Sequence, residues 1–458
     1  MFDAAKLKEI KRKVHKKNQK YLQKRLFPTL NISKITNEFG ETLLRVDGEI
    51  PVDLPIKNGD RFLFISYDQT RFTHGIHKYP AKFFPELPRW LIKKYSKEYD
   101  IILDPFGGSA TTSIEALLNK RHSVNIDIDP FAKFLAKVKT TKLNNLDLEI
   151  YSNLLIKKIT EFKVTEELRN FIPDFPYRDN WFKKEIIYEL AFIKKSIEEL
   201  NASQDLKNFF LATFSSIIRN VSNADDHCTR TVIRKKLNKQ IYPSLALTRF
   251  VENLLLYKSR IKEFNDLVPD DIQVIIPEDS DARNIKFPDH YFDFAITSPP
   301  YVNAVDYPRT HQLEMYWLGI AHGSLTPLKK KHVGTESVSA KDYSHFHEIG
   351  VKEADEILKK IYEIDKRRAY IAFKFLCDME LNLKEVHRTL KPGAKYAIVI
   401  GNNQIRGFQF ESWKYLIPIA ERNGFKLKEY FGSEIIKHFI KIKRDERINT
   451  DWVIVLEK

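Results

Sequence analysis

The residues best suited to chemistry lie in Asp293-Phe-Ala-Ile-Thr-Ser-Pro-Pro-Tyr301, where an apolar run ends in two consecutive prolines. Proline fixes its own φ, restricts the residue before it and lacks an N–H, so the pair predicts a rigid, extended corner. The Ser298 hydroxyl and the Pro299 carbonyl can each accept a hydrogen from an amino group, and Tyr301 offers a face on which a base can stack. A proline-rich turn that merely ends a strand is the alternative interpretation.

A second candidate is the glycine-rich turn Asp104-Pro-Phe-Gly-Gly-Ser-Ala-Thr-Thr112, which also follows a short apolar run. Glycines let the backbone approach a ligand closely, and the N–H groups that begin a helix favour a ligand carboxylate. The spacing lacks the third glycine of a dinucleotide fingerprint and the Gly-Lys-Ser/Thr of a phosphate loop, which disfavours NAD and ATP. An ordinary tight turn between a strand and a helix gives the same pattern.

A third candidate is Asp127, which ends the next apolar run, Ser123-Val-Asn-Ile-Asp127. A carboxylate at this place can accept two hydrogen bonds from the ribose hydroxyls of a bound nucleoside. Capping of the helix that begins near Pro130 is the alternative role, for which Asp129 is better placed. The glycine turn and this carboxylate reinforce each other as parts of one nucleoside site.

These groups are positioned by alternating strands and helices. Residues 99–104 and 123–127 are predicted strands, each followed by a helix, at 112–119 and 130–139. Residues 28–70 are predicted to form short strands and loops, 140–270 to be helical, and further strands to lie at 273–276, 291–296, 395–400 and 451–456. The sequence therefore predicts an α/β fold with a parallel sheet, a helical insertion, and a basic N-terminal extension that begins with a helix over 6–25.

In these motifs the chain resembles the DNA amino-methyltransferases, whose family motifs are an Asp-Pro-Phe-x-Gly-Ser-Gly-Thr turn and a Ser-Pro-Pro-Tyr or Asn/Asp-Pro-Pro-Tyr corner. Ala110 stands where the family usually has glycine, a change that a negative φ would accommodate. The resemblance covers 72–139 and 271–458, and it includes the segments 72–83, 280–283, 306–319, 390–393 and 401–407.

The resemblance implies a Rossmann-like sheet that binds S-adenosylmethionine, with no metal. The catalytic residues that it implies are Ser298, Pro299, Pro300 and Tyr301. The cofactor-binding residues that it implies are Tyr79, Lys82, Asp104, Phe106, Gly107, Gly108, Ser109, Ala110, Thr111, Asp127, Ile128, Asp281 and Ala282. It also divides the chain into a basic extension (1–70), a first part of the catalytic domain (71–140), a helical insertion that is a candidate for DNA recognition (141–270), and the second part of the catalytic domain (271–458).

The resemblance also indicates the methylated base. Family members with serine at the first position of the corner mainly methylate the N4 amino group of cytosine. Those with asparagine or aspartate there mainly methylate the N6 amino group of adenine. We therefore expect a cytosine-N4 DNA methyltransferase of a restriction-modification or defence system, with a cognate restriction endonuclease as a further partner. An adenine-N6 enzyme, an RNA methyltransferase and a non-catalytic DNA-binding protein are the alternatives.

A formal net charge of +15 favours a polyanionic partner, and we expect double-stranded DNA. The predicted DNA-binding residues are Arg230, Arg234, Lys235, Lys236 and Lys239, with 329–331 as a second candidate. Long basic side chains that only face solvent are the alternative.

Cysteine content and hydropathy limit the other classes of protein to which the chain could belong. Only Cys228 and Cys377 occur, so neither a disulfide framework nor a structural zinc site is indicated, and we expect a reducing cytoplasm. Neither cysteine follows proline at a strand end, as carbon-5 methylation of cytosine would require. The basic N-terminus has no signal-peptide core, and no apolar stretch is long enough to span a membrane.

Overall fold

The computed structural model describes residues 2–23, 30–37, 40–66, 69–234, 239–302, 305–435 and 450–458. Its strands are β1 (Asn31–Thr36), β2 (Thr42–Asp47), β3 (Arg61–Ile65), β4 (Ile101–Asp104), β5 (His122–Asn125), β6 (Val274–Ile275), β7 (Phe292–Thr297), β8 (Leu390–Gly401), β9 (Asn403–Ile405), β10 (Phe408–Phe410), β11 (Lys426–Glu434) and β12 (Thr450–Glu457). Its helices are α1 (Ala4–Gln23), α2 (Glu86–Tyr95), α3 (Thr111–Leu118), α4 (Pro130–Thr140), α5 (Asn145–Thr160), α6 (Arg178–Trp181), α7 (Lys184–Glu198), α8 (Gln204–Val221), α9 (Leu245–Leu267), α10 (Tyr307–Thr310), α11 (Gln312–Leu318), α12 (Thr326–Lys331), α13 (Lys352–Ile364), α14 (Lys366–Thr389) and α15 (Ser412–Arg422).

One ten-stranded sheet organises the described residues, in the order β1-β2-β3-β11-β12-β8-β7-β4-β5-β6. The strands from β8 to β6 are parallel to one another, and β12 runs antiparallel between β8 and β11. The chain goes from β4 outward to β5 and β6 on one side, and to β7 and β8 on the other. The strand order therefore reverses between β4 and β7, the place where ligands bind in open α/β sheets.

Helices cover both faces of this sheet because successive strand residues point to opposite sides. Ile102 and Phe294 point to the face on which Trp90 of α2 packs. Leu103 and Ala295 point to the other face, where they join the core formed by α14 and α15. Apolar residues on both sides of a strand are the pattern of a buried parallel sheet. This explains why β4 and β7 read as continuous apolar runs in the sequence.

The predicted helical insertion is present as α5 to α9, which form a core of their own. Buried side chains of α8 and α9 dominate this core, and Phe131 and Leu135 of α4 join it to the sheet. The predicted N-terminal helix is also present. Ile10 and Val14 of α1 are buried in the same core, while the Lys13 ammonium lies 2.9 Å from the Glu252 carboxylate on α9.

The strands β1 to β3 belong to the main sheet, although the sequence analysis placed them in an N-terminal extension. β3 pairs in parallel with β11, with Arg61 opposite Gly432. Phe62 and Phe64 of β3 are buried against Trp90 and Phe431. The extension thus contributes to the same core as the predicted catalytic domain.

Within the described ranges, no helix is long and apolar enough to cross a membrane. The same residues contain no group of three or more His, Cys, Asp or Glu side chains placed to hold a metal ion.

Candidate active site

The site begins where β4 and β7 end side by side. Thr297, the last residue of β7, donates a hydrogen bond of 2.6 Å from its hydroxyl to the carboxylate of Asp104, the last residue of β4. Both residues are buried. This bond joins the strand that precedes the glycine turn to the strand that precedes the Ser-Pro-Pro-Tyr corner. Burial raises the pKa of Asp104 to about 6, although the bonds from Thr297 and from the Phe106 N–H oppose that rise.

The glycine turn is shaped by two different requirements. A Cβ on Gly107 would lie 2.1 Å from the buried amide nitrogen of Asn125, so only glycine lets β5 approach the turn. Gly108 has a φ of 49°, in the left-handed region, and it lies beneath the ring of Tyr79. The backbone N–H of Gly107 donates to the Ile126 carbonyl at 2.9 Å, which ties the turn to the end of β5.

Ala110 differs from the expectation of a negative φ. Its φ is 68° and its ψ is 37°, so the residue that replaces the family's glycine adopts the left-handed conformation immediately before α3. The side chain is fully buried, and the Ala110 N–H donates to the Gly107 carbonyl at 2.8 Å. The surrounding turn therefore imposes a conformation that costs about 1–2 kcal/mol for a residue with a Cβ.

Asp127 stands beside this turn and holds it. One carboxylate oxygen accepts from the Gly108 N–H at 2.9 Å, and the other accepts from the Asp129 N–H at 2.8 Å. Each oxygen keeps a lone pair with which it can accept a further bond. Burial and the neighbouring Asp129 raise the pKa of Asp127 to about 6. Asp129 caps α4 by accepting from the Phe131 and Ala132 N–H groups, which leaves Asp127 for the cleft.

Aromatic rings cover the turn. The ring of Tyr79 stacks on Tyr307, with 5.7 Å between centroids, and on His311, at 5.1 Å. His332, which follows α12, places Nε2 3.4 Å from the Asp129 carboxylate. Burial alone would lower the pKa of His332, but the bond and charge of Asp129 raise it above its ordinary value. Segments from three distant parts of the chain thus meet over the glycines.

A single cleft of about 760 Å³, counting the space at its open side, gathers these groups. Twelve of the thirteen predicted cofactor residues line it, and Ala110 does not. Ser298 and Pro300 of the corner also line it, whereas Pro299 and Tyr301 do not. The Tyr301 hydroxyl donates to the Asp451 carboxylate at 2.8 Å. The lining residues are Tyr79, Ala81, Lys82, Phe83, Asp104, Pro105, Phe106, Gly107, Gly108, Ser109, Thr111, Asp127, Ile128, Asp129, Asp281, Ala282, Arg283, Ser298, Pro300, Tyr307, Lys331, His332 and Val333.

The far wall of the cleft comes from the loop after β6. Asp281 accepts two bonds from the Arg283 guanidinium, at 2.9 and 2.8 Å, and the third nitrogen of that guanidinium lies 3.2 Å from Asp378 on α14. The Ala282 carbonyl accepts from the buried Asn382 amide at 2.9 Å. The loop that contains the predicted cofactor residues Asp281 and Ala282 is therefore held by protein contacts, independently of any ligand.

The residues present fit S-adenosylmethionine. The Ser109 hydroxyl is buried and has no hydrogen-bond partner among the described residues, so a polar group is missing from this part of the cleft. The Asp104 carboxylate would match the cofactor's ammonium, and the Asp127 carboxylate would match its ribose hydroxyls. The cofactor's carboxylate would match the Lys82 ammonium and the N–H groups that begin α3. Burial, together with the positive charge of the nearby Arg260, lowers the pKa of Lys82 to about 8.

The predicted DNA-binding residues are placed differently from one another. Arg230 and Arg234 are exposed, and the Arg234 guanidinium lies 3.1 Å from the buried Asp225 carboxylate. Lys239 turns inward: its ammonium donates at 2.9 Å to the Arg219 and Ala224 carbonyls and to Asp226. This ammonium is already bound inside the loop, and a DNA contact by Lys239 stays a prediction. Lys235 and Lys236 lie outside the described residues.

Several lining residues escaped the sequence analysis. Arg283, Tyr307 and His332 all border the cleft, and so does Lys331, which had been predicted only as a DNA contact. Arg283 and Tyr307 lie within segments that the family resemblance had marked, which was the signal available for them. His332 carried no such signal, because its partner Asp129 is some two hundred positions away in the sequence and lone histidines are usually uninformative.

Comparisons with known proteins agree with this geometry. A family model of N6/N4 methyltransferases, described as DNA methylase, matches residues 4–138. The chain is 27% identical over 376 residues to the Type II methyltransferase M.MvaI of Kocuria varians, covering 77% of this chain and 82% of that protein. It is also 27% identical over 415 residues to the Type II methyltransferase M.BsoBI of Geobacillus stearothermophilus, covering 79% and 81%. A solved SAM-dependent methyltransferase from Methanosarcina mazei aligns with 83% of this chain and 98% of its own, at 12% identity and a TM-score of 0.29, a likeness too distant to argue from.

Proposed function

We propose that this chain methylates the N4 amino group of cytosine at a specific site in double-stranded DNA, as a DNA amino-methyltransferase of the N4/N6 type that uses S-adenosylmethionine. The observation that carries the proposal is the hydrogen bond between Thr297 and Asp104. It fixes the Ser-Pro-Pro-Tyr corner beside the glycine turn, so that Ser298 and Gly108 line one cleft. Type II methyltransferases among the similar proteins support the setting of a restriction-modification system.

The corner would act on a weak nucleophile. The amino nitrogen of cytosine reacts poorly because its lone pair is delocalised into the ring. If the Ser298 hydroxyl and the Pro299 carbonyl accept its two hydrogens, they hold that lone pair toward the methyl donor. S-adenosylmethionine supplies the electrophilic methyl group, carried on a sulfonium. In duplex DNA the base must leave the stack, and Tyr301 is the proposed platform for it.

A covalent mechanism through cysteine is disfavoured. Methylation at carbon 5 of cytosine needs a thiolate, but neither Cys228 nor Cys377 lines the cleft. Burial, followed by the charge of Asp378, raises the pKa of Cys377 to about 11, which keeps that thiol protonated at neutral pH. Direct transfer to an amino nitrogen is the chemistry that these residues support.

The choice of base is tested by product analysis. Purified protein is incubated with labelled S-adenosylmethionine and duplex DNA, the DNA is hydrolysed, and the nucleosides are separated by mass spectrometry. We expect N4-methylcytosine. If N6-methyladenine is the only product, the protein is instead an adenine-N6 methyltransferase. The corner motivates this alternative because adenine-N6 enzymes of the family have a similar Pro-Pro-Tyr corner. Transfer to RNA but not to duplex DNA would favour an RNA methyltransferase.

A protein that binds DNA without transferring methyl groups is the remaining alternative, and the left-handed Ala110 is the observation that motivates it. The lining of the cleft argues against it, because twelve of the thirteen predicted cofactor residues surround that one cleft. Calorimetric titration with S-adenosylmethionine separates the two. We expect binding in the micromolar range typical of enzyme cofactors, whereas no measurable heat would support the non-catalytic protein.

We propose that DNA lies across the loop that contains Arg230 and Arg234. Both side chains are exposed, and the Thr231 hydroxyl donates to the Thr310 carbonyl at 2.7 Å, which joins this loop to the segment that follows the corner. The exposed Lys331, at the rim of the cleft, supports a path from that loop to the site. A cognate restriction endonuclease is the further partner that this setting implies.

A further inference from the structure

The Ser-Pro-Pro-Tyr corner is held on its far side by residues that take no part in the cleft. Tyr301 is only partly exposed, and its hydroxyl donates to Asp451 at 2.8 Å. Asp451 stands near the start of β12, opposite Gly401 at the end of β8. The two partners are 150 positions apart in the sequence, so only the folded sheet brings them together.

The residues on either side of this bond are also fixed. The Asn403 amide donates to the carbonyl of Val302, next to Tyr301, at 2.8 Å. Gly334, with a φ of 73°, lies so close that a Cβ there would be 3.1 Å from the Tyr301 carbonyl oxygen. The backbone around Tyr301 is therefore constrained from two directions, and at the phenol end the hydroxyl bonds to Asp451 and also contacts the Ser298 side chain.

We propose that Asp451 is a positioning residue that orients the Tyr301 ring for the target base, an inference that rests on the proposed function. Stacking needs a ring whose position is defined before the base arrives, because a side chain that is free to change its χ1 rotamer loses that freedom on binding. A hydroxyl held at the far end of the ring fixes the direction of the ring's long axis in advance. A role confined to joining β12 to the corner is the competing explanation.

The bond is tested by a double-mutant cycle on methyl transfer to DNA. Tyr301→Phe removes the hydroxyl without changing the ring, Asp451→Asn keeps an acceptor, and Asp451→Ala removes it. We expect Tyr301→Phe and Asp451→Ala each to lower kcat by about tenfold, since small misplacements at a reacting centre have such effects. The double variant Tyr301→Phe, Asp451→Ala should be no slower than either single variant. Asp451→Asn should keep most of the activity, and none of the variants should change the S-adenosylmethionine Kd.

A matched control lies elsewhere in the sheet. The Tyr95 hydroxyl donates to the Glu429 carboxylate, which joins α2 to β11 by the same kind of bond, and neither residue lines the cleft. Tyr95→Phe should leave kcat unchanged. A wild-type rate in Tyr301→Phe, additive losses in the double variant, or losses matched by a fall in melting temperature would overturn the inference while leaving the proposed function intact. Absence of transfer by the wild-type protein would overturn both.

Discussion

Replacing Gly107 by alanine tests how the glycine turn is built. The added Cβ would lie 2.1, 2.4 and 2.6 Å from three atoms of the Asn125 amide group. Asn125 is fully buried at the end of β5, so its short side chain has no open space into which it can move. Either β5 shifts away or the turn moves into the cleft, and overpacking of this kind costs about 1–3 kcal/mol.

If that free energy opposes cofactor binding, it corresponds to a weakening of about 5-fold to 140-fold in the Kd for S-adenosylmethionine. Gly108→Ala should cost less. Its Cβ would lie 3.4 Å from the Tyr79 ring, an ordinary contact, and the cost would come from a φ of 49°. We expect about 1 kcal/mol, or about a fivefold weaker Kd.

Calorimetric titration with S-adenosylmethionine measures both effects, and thermal melting of the free proteins accompanies it. Gly393→Ala is the matched control, because Gly393 also has a positive φ, of 75°, but no atom lies within 4 Å of its added Cβ and it does not line the cleft. That variant should lose some stability and no cofactor affinity. A Gly107→Ala protein that binds S-adenosylmethionine and melts like the wild type would refute the packing argument.

Four further changes probe separate parts of the site. Asp127→Asn should weaken cofactor binding. Because burial raises the pKa of Asp127 to about 6, the carboxylate gains a proton as the pH drops from 7 to 5, and the affinity of the wild type for the cofactor should fall. Calorimetry across that pH range should show a smaller change in affinity for the variant. Ser298→Ala should lower kcat by about 100-fold or more, with an unchanged cofactor Kd in the same titration. Arg230→Ala should weaken DNA binding equally for all sequences. It should also reduce by about one the slope of the logarithm of the DNA-binding constant against the logarithm of the salt concentration, as measured by fluorescence anisotropy. Lys239→Met should lower the melting temperature by a few degrees, because three acceptors lose their donor; an unchanged melting temperature would contradict the inward placement.

The sequence predicted those parts of the fold that depend on local pattern. The strands that end at Asp104 and Thr297 are buried on both faces, so they appear as apolar runs, and the polar residues Asp104 and Ser298 at their ends line the cleft. Parallel strands expose their carboxyl ends at one edge of a sheet, which is why the motifs could be assigned to a shared cleft.

What the sequence did not predict depends on contacts between distant residues. β3 was not assigned to the main sheet because its neighbour β11 lies at the other end of the chain, with Arg61 opposite Gly432. The Lys239 side chain points inward because its ammonium donates to the backbone carbonyls of Arg219 and Ala224. The sequence alone does not distinguish such a lysine from an exposed one. The positive φ of Ala110 is imposed by the surrounding turn against the preference of alanine.

The central claim is that this cleft transfers methyl groups to an exocyclic amino group in DNA. Single-molecule sequencing of genomic DNA from cells that express the protein tests it most directly, with cells that express Ser298→Ala as the reference. The account predicts N4-methylcytosine at one recurring sequence in the first sample and none in the second. DNA in which neither cytosine nor adenine carries an added methyl group would contradict it.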